Sequence, residues 1–410
     1  LSWGEKHIVA FFQNDLKSLQ EAIQLLESLH PSCGFPPYSS LDLRISQSKA
    51  AVVDVNLFPA GFNNLSQAGR KKATDEFLKY LKVKLGEKDA YVIGLVPEGH
   101  TNNKGYLKNI LSLVSILEAS KVIQVCVLWP QGKLPKAWNL KVGQETIRYH
   151  SYDQLPEELD AILLNIDMKS GVPDFLENFS CPIFPVQELG WHRRRKSEHF
   201  KIAKQILNKL SLKIPQIDFS NYSADFDVLE NIFLLEPSVV EKRLKLYRDS
   251  LVEKSKQKDL PIVVKDDAGT YGLGVQVLYG DEEIQKFSQS FKKEMGKSKG
   301  GKAVTHLLIQ EGVGSVFSME DQGQCYQLEP TLYLVNTQVV DIFFRSLESS
   351  GTDKGVRNLN RPSAFFIHQD QEELWKKINV KIDSEMQLLF QFFSKIHSIA
   401  AGFEECPEIE

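Results

Sequence analysis

Four apolar runs, Ala50–Phe58, Ala90–Val96, Val122–Leu128 and Ala161–Ile166, constrain this chain more than any other feature. Most are continuous rather than alternating, which predicts strands covered on both faces, as in a parallel sheet. Between them, residues 67–84 and 104–120 carry the pattern of helices, so strand and helix alternate over roughly the first 170 residues. An earlier amphipathic helix is expected over 14–29, where Leu16, Leu19, Ile23 and Leu26 share a face and Pro31 follows as a stop. The text from Cys33 to Ser40 reads as loop. Ligands of open parallel sheets sit beyond the carboxyl ends of strands. The polar loops Asn56–Asn64 and Pro97–Asn103 fall there, although Asn and Gly are also ordinary turn formers.

From about Pro185 the pattern changes. A helix is expected over His199–Leu210, and residues 221–257 read as helical and heavily charged. Pro261–Lys265 and Val275–Tyr279 read as short strands around a glycine-rich turn. Phe287–Lys302 reads as a helix end running into a lysine-rich loop, and His306–Gln310 as a strand reaching Glu311. Tyr326–Leu334 and Gln338–Arg345 form an expected antiparallel pair around Asn336-Thr337, followed by a loop over Gly351–Arg361 and a helical region over 371–400. The fold class is therefore α/β plus α+β, with one domain over 1–185 and a second over 186–410. No internal repeat is visible.

The composition excludes several classes. Of 410 residues, 42% are hydrophobic and 25% charged, which rules out a disordered or low-complexity chain. Lys+Arg of 49 against Asp+Glu of 53 leaves no global field to hold a polyanion, so nucleic acid is not the expected partner. Cys33, Cys126, Cys181, Cys325 and Cys406 are odd in number and scattered, which suggests reduced thiols in a cytoplasmic protein. No apolar stretch reaches membrane-spanning length, and Leu-Ser-Trp-Gly-Glu-Lys at the start lacks the apolar core of a signal peptide.

The strongest chemical motif is Val263-Val-Lys265-Asp-Asp-Ala-Gly269-Thr270-Tyr-Gly272-Leu-Gly274. A strand delivers a lysine, a loop with glycines follows, and a second strand leaves. Glycine lets backbone N–H groups approach phosphate oxygens, and the ammonium adds a point charge. The alternative is a plain hairpin with a glycine-rich turn. The glycines do not form the dinucleotide fingerprint, and Gly296–Ala303 lacks the Ser/Thr of a P-loop. Asp341, Phe343 and Arg345 share one face of a strand, with Glu329 on its neighbour and Asn358 and Asn360 nearby. These hard oxygens suit magnesium beside a nucleotide, or are ordinary strand and turn residues. The basic run Arg193–Lys196 opens a helix, as a solvated face or as an anchor for a small acidic substrate. No thiol or hydroxyl nucleophile stands beside a base, so chemistry driven by a bound nucleotide fits better.

In order along the chain, Ser40-Leu-Asp42-Leu-Arg44, Val53-Asp54-Val-Asn56 through Asn63-Asn64, Pro97-Glu98-Gly-His100, Gly190 through His199, the glycine loop, Gln310-Glu311-Gly-Val, Glu329-Pro and Asn358-Leu-Asn360 resemble the proteobacterial, ATP-grasp type of glutamate–cysteine ligase. The resemblance spans about 38 to 366. It implies a Rossmann-like leading domain before an ATP-grasp domain, whose lid covers about 260–310 and whose C-terminal subdomain covers about 311–410. It implies the first step of glutathione synthesis: ATP phosphorylates the glutamate γ-carboxylate, and the cysteine amine attacks the acyl phosphate. On that reading Lys265 contacts phosphates, Gly269, Thr270, Gly272 and Gly274 cover them, and Gln310 and Glu311 hold the adenine. Arg345 stabilises the acyl phosphate. Asp42, Arg44, Asn56, Asn63, Asn64, Arg193 and Arg195 are candidates to hold the amino acids. Arg357 stands where the family has Glu before Asn-Leu-Asn, so Glu329 and Asp341 join Asn358 and Asn360 as candidate Mg2+ ligands. A homo-oligomer stays open, as do a ligase with other substrates and a nucleotide-binding regulator without turnover.

Overall fold

A computed structural model describes residues 10–99, 102–131, 138–155, 158–257, 259–269, 274–295, 304–349, 356, 358 and 364–405. Helices α1 (Ala10–Gln13) and α2 (Leu16–Glu27) precede strands β1 (Tyr38–Ile45) and β2 (Ala50–Asn56), then α3 (Gln67–Leu85) and β3 (Tyr91–Pro97). Next come α4 (Lys104–Glu118), β4 (Ile123–Leu128), β5 (Trp138–Val142), β6 (Glu145–His150), β7 (Ala161–Asn165) and β8 (Ile183–Phe184). After α5 (Lys196–Lys213), β9 (Phe226–Leu229) and α6 (Pro237–Ser255) lie β10 (Ile262–Asp266), β11 (Gln276–Leu278), α7 (Asp281–Met295) and β12 (Leu307–Glu311). The chain closes with β13 (Ser318–Asp321), β14 (Gln324–Val335), β15 (Gln338–Ser349), β16 (Phe365–Ile367), α8 (Glu372–Trp375) and α9 (Ser384–Glu405).

These strands form three sheets. The first has the order β5-β6-β4-β3-β7-β8 and is parallel except for its edge strand β5. Three of the four apolar runs that the sequence marks lie in it, as β3, β4 and β7, whereas Ala50–Phe58 becomes β2 of the antiparallel second sheet. The second, β16-β15-β14-β1-β2 with β13 beside β14, is antiparallel, and so is the third, β11-β10-β12-β9. The β14–β15 hairpin turns at Asn336 and Thr337, whose φ of 48° and 68° match the paired left-handed residues that tight hairpins require.

The second sheet is buried on both faces. Leu41 and Leu43 of β1, Leu328 and Leu332 of β14, and Ile342 and Phe344 of β15 share a core with Leu207 of α5 and Phe390 and Phe393 of α9. On the opposite face Tyr38, Tyr333 and Phe343 join the core of the parallel sheet and its helices α3 and α4. Phe62 sits edge-on to Tyr38 and Tyr333, with ring centroids 5.6 and 5.1 Å away. The third sheet has a core of its own with α6 and α7, built from residues such as Leu244, Ile262, Phe287 and Ile309.

Four expectations change. Residues 38–45, in part expected as loop, are a strand in which Leu41, Leu43 and Ile45 alternate with Ser40, Asp42 and Arg44; all eight positions are buried. This strand pairs with β2 on one side and β14 on the other, so the sheets do not divide at residue 185. Residues 226–229, expected as helix, form β9 at the edge of the third sheet. Cys33 is disulfide-bonded, so the five cysteines are not all free thiols, while Cys126, Cys181 and Cys325 are. Among the described residues no helix is long and apolar enough to cross a membrane.

Candidate active site

Strand periodicity builds one wall of a cleft between the second and third sheets. On β1, β14 and β15 alternate residues point away from the Leu/Phe core, and toward one end of this face they are charged: Asp42, Arg44, Glu329 and Arg345. Arg44 Nε donates to Glu329, and Arg345 Nη1 donates to Glu329 Oε1 at 2.9 Å and to Asp42 Oδ2 at 3.2 Å. Thr331 Oγ1 donates to Asp42 Oδ1 at 2.8 Å. Two guanidinium groups thus balance two buried carboxylates. Burial raises the Glu329 pKa, and Arg44 and Arg345 oppose it without cancelling it. Burial would also lower the Arg345 pKa, but Asp42 and Glu329 outweigh it and hold the charge more firmly.

A bulge supplies the next groups. Asp42 faces Asp54, yet Leu43 faces Val52, so Val53 is the extra residue of β2. Val53 and Asp54 therefore both line the cleft. Lys196, at the start of α5, donates to Asp54. Burial would raise the Asp54 pKa, but Lys196 and then Lys265 and Arg194 hold it down at about 2. The start of α5 is fixed by Asp267, which accepts from Ser197 N at 2.8 Å and Ser197 Oγ at 2.6 Å.

The third sheet forms the facing wall. Val263 and Lys265 point into the cleft, while Ile262 and Val264 point into the sheet's own core. Lys265 Nζ donates to Val53 O at 2.6 Å and to Gln310 Oε1 at 2.8 Å, tying the two sheets together. Burial first, and Lys196 second, depress the Lys265 pKa to about 8 despite Asp54, Asp42 and Glu329. Gln310 Nε2 is buried without a hydrogen-bond partner among the described residues. Gly269 closes a turn on Asp266 O, and a Cβ there would lie 2.8 Å from Asp266 Cβ. Val275, Val277, Val313 and Val356 make the apolar remainder of the lining.

The fold gathers Asp42, Arg44, Lys265, Gly269, Gln310, Glu311, Glu329, Arg345 and Asn358 into this one cleft. Gly274, with φ of 74°, precedes the lining residue Val275, and Thr270, Gly272, Arg357 and Asn360 lie outside the described residues. The Glu311 carboxylate is already held by Lys49 Nζ at 2.6 Å and Asp225 N at 3.0 Å.

Six expected residues are placed elsewhere. Asp341 lies four residues along β15 from Arg345, about 13 Å away at strand spacing. There it accepts from Ser66 N at 2.5 Å at the start of α3, a helix-capping position. Asn56 ends β2, and Asn63 and Asn64 belong to the following loop, which is held by buried amides: Asn109 Oδ1 accepts from Gly61 N at 2.7 Å, and Asn165 Nδ2 donates to Pro59 O at 3.0 Å. Asn63 Nδ2 donates to Asn64 Oδ1. Arg193 is exposed, and Arg195 folds back onto the carbonyls of Arg193 and Arg194. Consecutive residues entering a helix point in different directions, so only Lys196 of this run reaches the cleft. Arg194 is buried instead against Glu404 at 2.7 and 3.2 Å and Val55 O at 2.8 Å.

A buried lysine and a glycine-bearing hairpin facing two arginines across a cleft suit the handling of phosphate and carboxylate groups. The class is that of an ATP-dependent carboxylate–amine ligase. The chain belongs to the glutamate–cysteine ligase family, whose profile, described as "Glutamate-cysteine ligase", matches residues 18–405. A protein from Methylobacillus flagellatus KT, provisionally described as a gamma-glutamylcysteine synthetase, has a crystal structure with the same fold. It is 23% identical, with a TM-score of 0.78 over 99% of this chain and 97% of that one. More distant are a glutathione synthetase-like effector from Globodera pallida (10% identity, TM-score 0.40, 83% of this chain and 85% of that one) and a D-alanyl-alanine synthetase A from Vibrio cholerae (14%, 0.31, 71% and 79%). No curated protein sequence matches the chain.

Proposed function

We propose that this cleft activates the glutamate γ-carboxylate with ATP and passes the acyl group to the cysteine amine, the first step of glutathione synthesis. A γ-carboxylate oxygen attacks the terminal phosphorus of ATP, and ADP leaves. The amine then attacks the acyl carbon, loses its proton, and phosphate leaves. The observation that carries this reading is the convergence of Lys265 from one sheet with Arg345, Arg44, Asp42 and Glu329 from another.

Each group has work suited to its charge. Lys265 leaves Val53 O and Gln310 to meet the phosphates, and the turn through Gly269 lets backbone N–H groups approach them. The valine lining and the backbone after Glu311 suit the adenine, because the Glu311 carboxylate itself is engaged by Lys49. Arg345 stands where a developing acyl phosphate would gain from a fixed cation. Glu329 and Asn358 carry hard oxygens of the kind Mg2+ takes, although Glu329 would have to leave Arg44 or Arg345 to bind it, and one or two protein ligands suffice beside a nucleotide. That ion would neutralise phosphate charge.

The first sheet reads as the Rossmann-like leading domain, and the second and third as the two halves of an ATP-grasp clasp. Cytoplasm supplies both ATP and reduced cysteine, although the Cys33 disulfide is unusual for a reducing compartment. A homo-oligomer is tested by sedimentation of the purified chain. For the reaction, ADP release is measured with Mg-ATP and glutamate, with and without cysteine, and γ-glutamylcysteine is sought by mass spectrometry. Cysteine-dependent ADP together with that product supports the reading. ADP release only with other acid–amine pairs overturns it.

A further inference from the structure

One ion pair of the cleft is only half closed. The Asp42 and Glu329 carboxylates are enclosed by arginine, with side chains 7% and 4% exposed. The Asp54 side chain is 23% exposed, and only its Oδ1 is bonded, by Lys196 Nζ. Asp54 Oδ2 has no hydrogen-bond partner among the described residues. Lys196 carries three N–H donors; one meets Asp54, and its charge stands 5.3 Å from the Trp191 ring centre. Opposite charges side by side at a cleft wall match a zwitterion, which can enter between them and leave neither charge buried alone.

We propose that Asp54 and Lys196 hold the α-ammonium and α-carboxylate of the amino acid whose side-chain carboxylate is phosphorylated. This rests on the ligase reading above, where that substrate is glutamate. The adjacent Val53 carbonyl holds Lys265, so a head group clamped at Asp54 sits beside the lysine assigned to the phosphates. Cysteine suits the clamp poorly: its amine must shed a proton to attack, and a carboxylate against it would keep that proton on. With its pKa at about 2, Asp54 is too acidic to take the proton.

The test compares glutamate with glutarate, which keeps both carboxylates and lacks the ammonium, by calorimetry on the wild-type protein and on Asp54→Asn. Wild type is expected to bind glutamate about 10- to 100-fold more tightly than glutarate, the scale of a charged hydrogen bond. Asp54→Asn should lose most of that preference while the KM for cysteine stays unchanged. Lys196→Met should weaken glutamate binding, with binding restored in Lys196→Arg. Equal binding of glutamate and glutarate by a wild-type protein that makes γ-glutamylcysteine overturns the clamp and leaves the ligase standing. A wild-type protein that prefers glutamate, through Asp54, but makes no product upholds the clamp and overturns the ligase. A shift in cysteine KM alone on Asp54→Asn also overturns the clamp.

Discussion

At the residue scale, Lys265 couples stability to function. Removing its ammonium leaves Val53 O and Gln310 Oε1 buried without their donor, which costs about 1–3 kcal/mol. Lys265→Ala is expected to abolish ATP turnover, while relief of the buried charge offsets the lost hydrogen bonds in Tm; unchanged turnover would refute the phosphate role. Its pKa, about 8 in the folded protein, lies below that of a free lysine, near 10.4. Between those values the unfolded chain binds the extra proton, so this group makes stability rise with pH over that window. Phosphates should pull the pKa back up. ATP binding at about pH 8.5 should then take up protons, seen by calorimetry in buffers of different ionisation enthalpy, and Lys265→Met should remove the uptake. Asp341 makes the converse case. Asp341→Asn should lower Tm through the start of α3, where Gly69 leaves room for no side chain against the carboxylate, yet leave the Mg2+ dependence of turnover unchanged. A raised Mg2+ requirement would restore Asp341 as a ligand.

At the element scale, α5 and α9 are locked by a buried polar set. Glu404 accepts from Arg194 and contacts His199, whose Nε2 lies 2.8 Å from His397 Nδ1. Burial would raise the Glu404 pKa, but Arg194 and His199 hold it down at about 2. A carboxyl with a depressed folded pKa contributes stability above its unfolded value, near 4.3, and loses it as pH falls toward 2. Glu404→Gln leaves Arg194 buried without its counter-charge and should cost about 3–5 kcal/mol near neutral pH. The variant should also lose less stability than wild type between about pH 5 and 3. Equal acid slopes in denaturant melts would show that this pair is not what holds the helices. Helix α5 thereby delivers Lys196 to the cleft while anchoring its other face, and neither task was separable in a run of four basic residues.

At the scale of the whole molecule, the cleft lies between a sheet with its own core and a sheet shared by two others, crossed by Lys265 and by the Lys49–Glu311 pair. Ligand that binds only the folded form adds about 2.7 kcal/mol at a hundredfold excess over Kd. Saturating Mg-ATP should raise Tm by several degrees and slow hydrogen exchange in β10–β12, with no such effect in α2; protection spread evenly over the chain would argue against nucleotide in this cleft. Much of this was legible beforehand. The apolar runs at β3, β4 and β7 encode a parallel sheet because burial on both faces demands continuous apolar residues. The lysine and glycines of the β10–β11 hairpin were legible as candidates for holding phosphate because their chemistry is local, and the fold brings Lys265 and Gly269 into the cleft. Strand β1 carries the alternating pattern of a strand with one apolar face, but its pairing with β14, some 290 residues away, was not legible. Spacing could bring Asp341 and Arg345 onto one face, but it could not show that one end of that face meets a helix and the other a cleft. The sequence by itself determined the elements and the chemistry available, because periodicity and side-chain type are properties of short segments. Only the tertiary structure decided that Lys196 and Asp54, not Arg193 and Arg195, reach the site, because direction and distance between remote segments are set by packing.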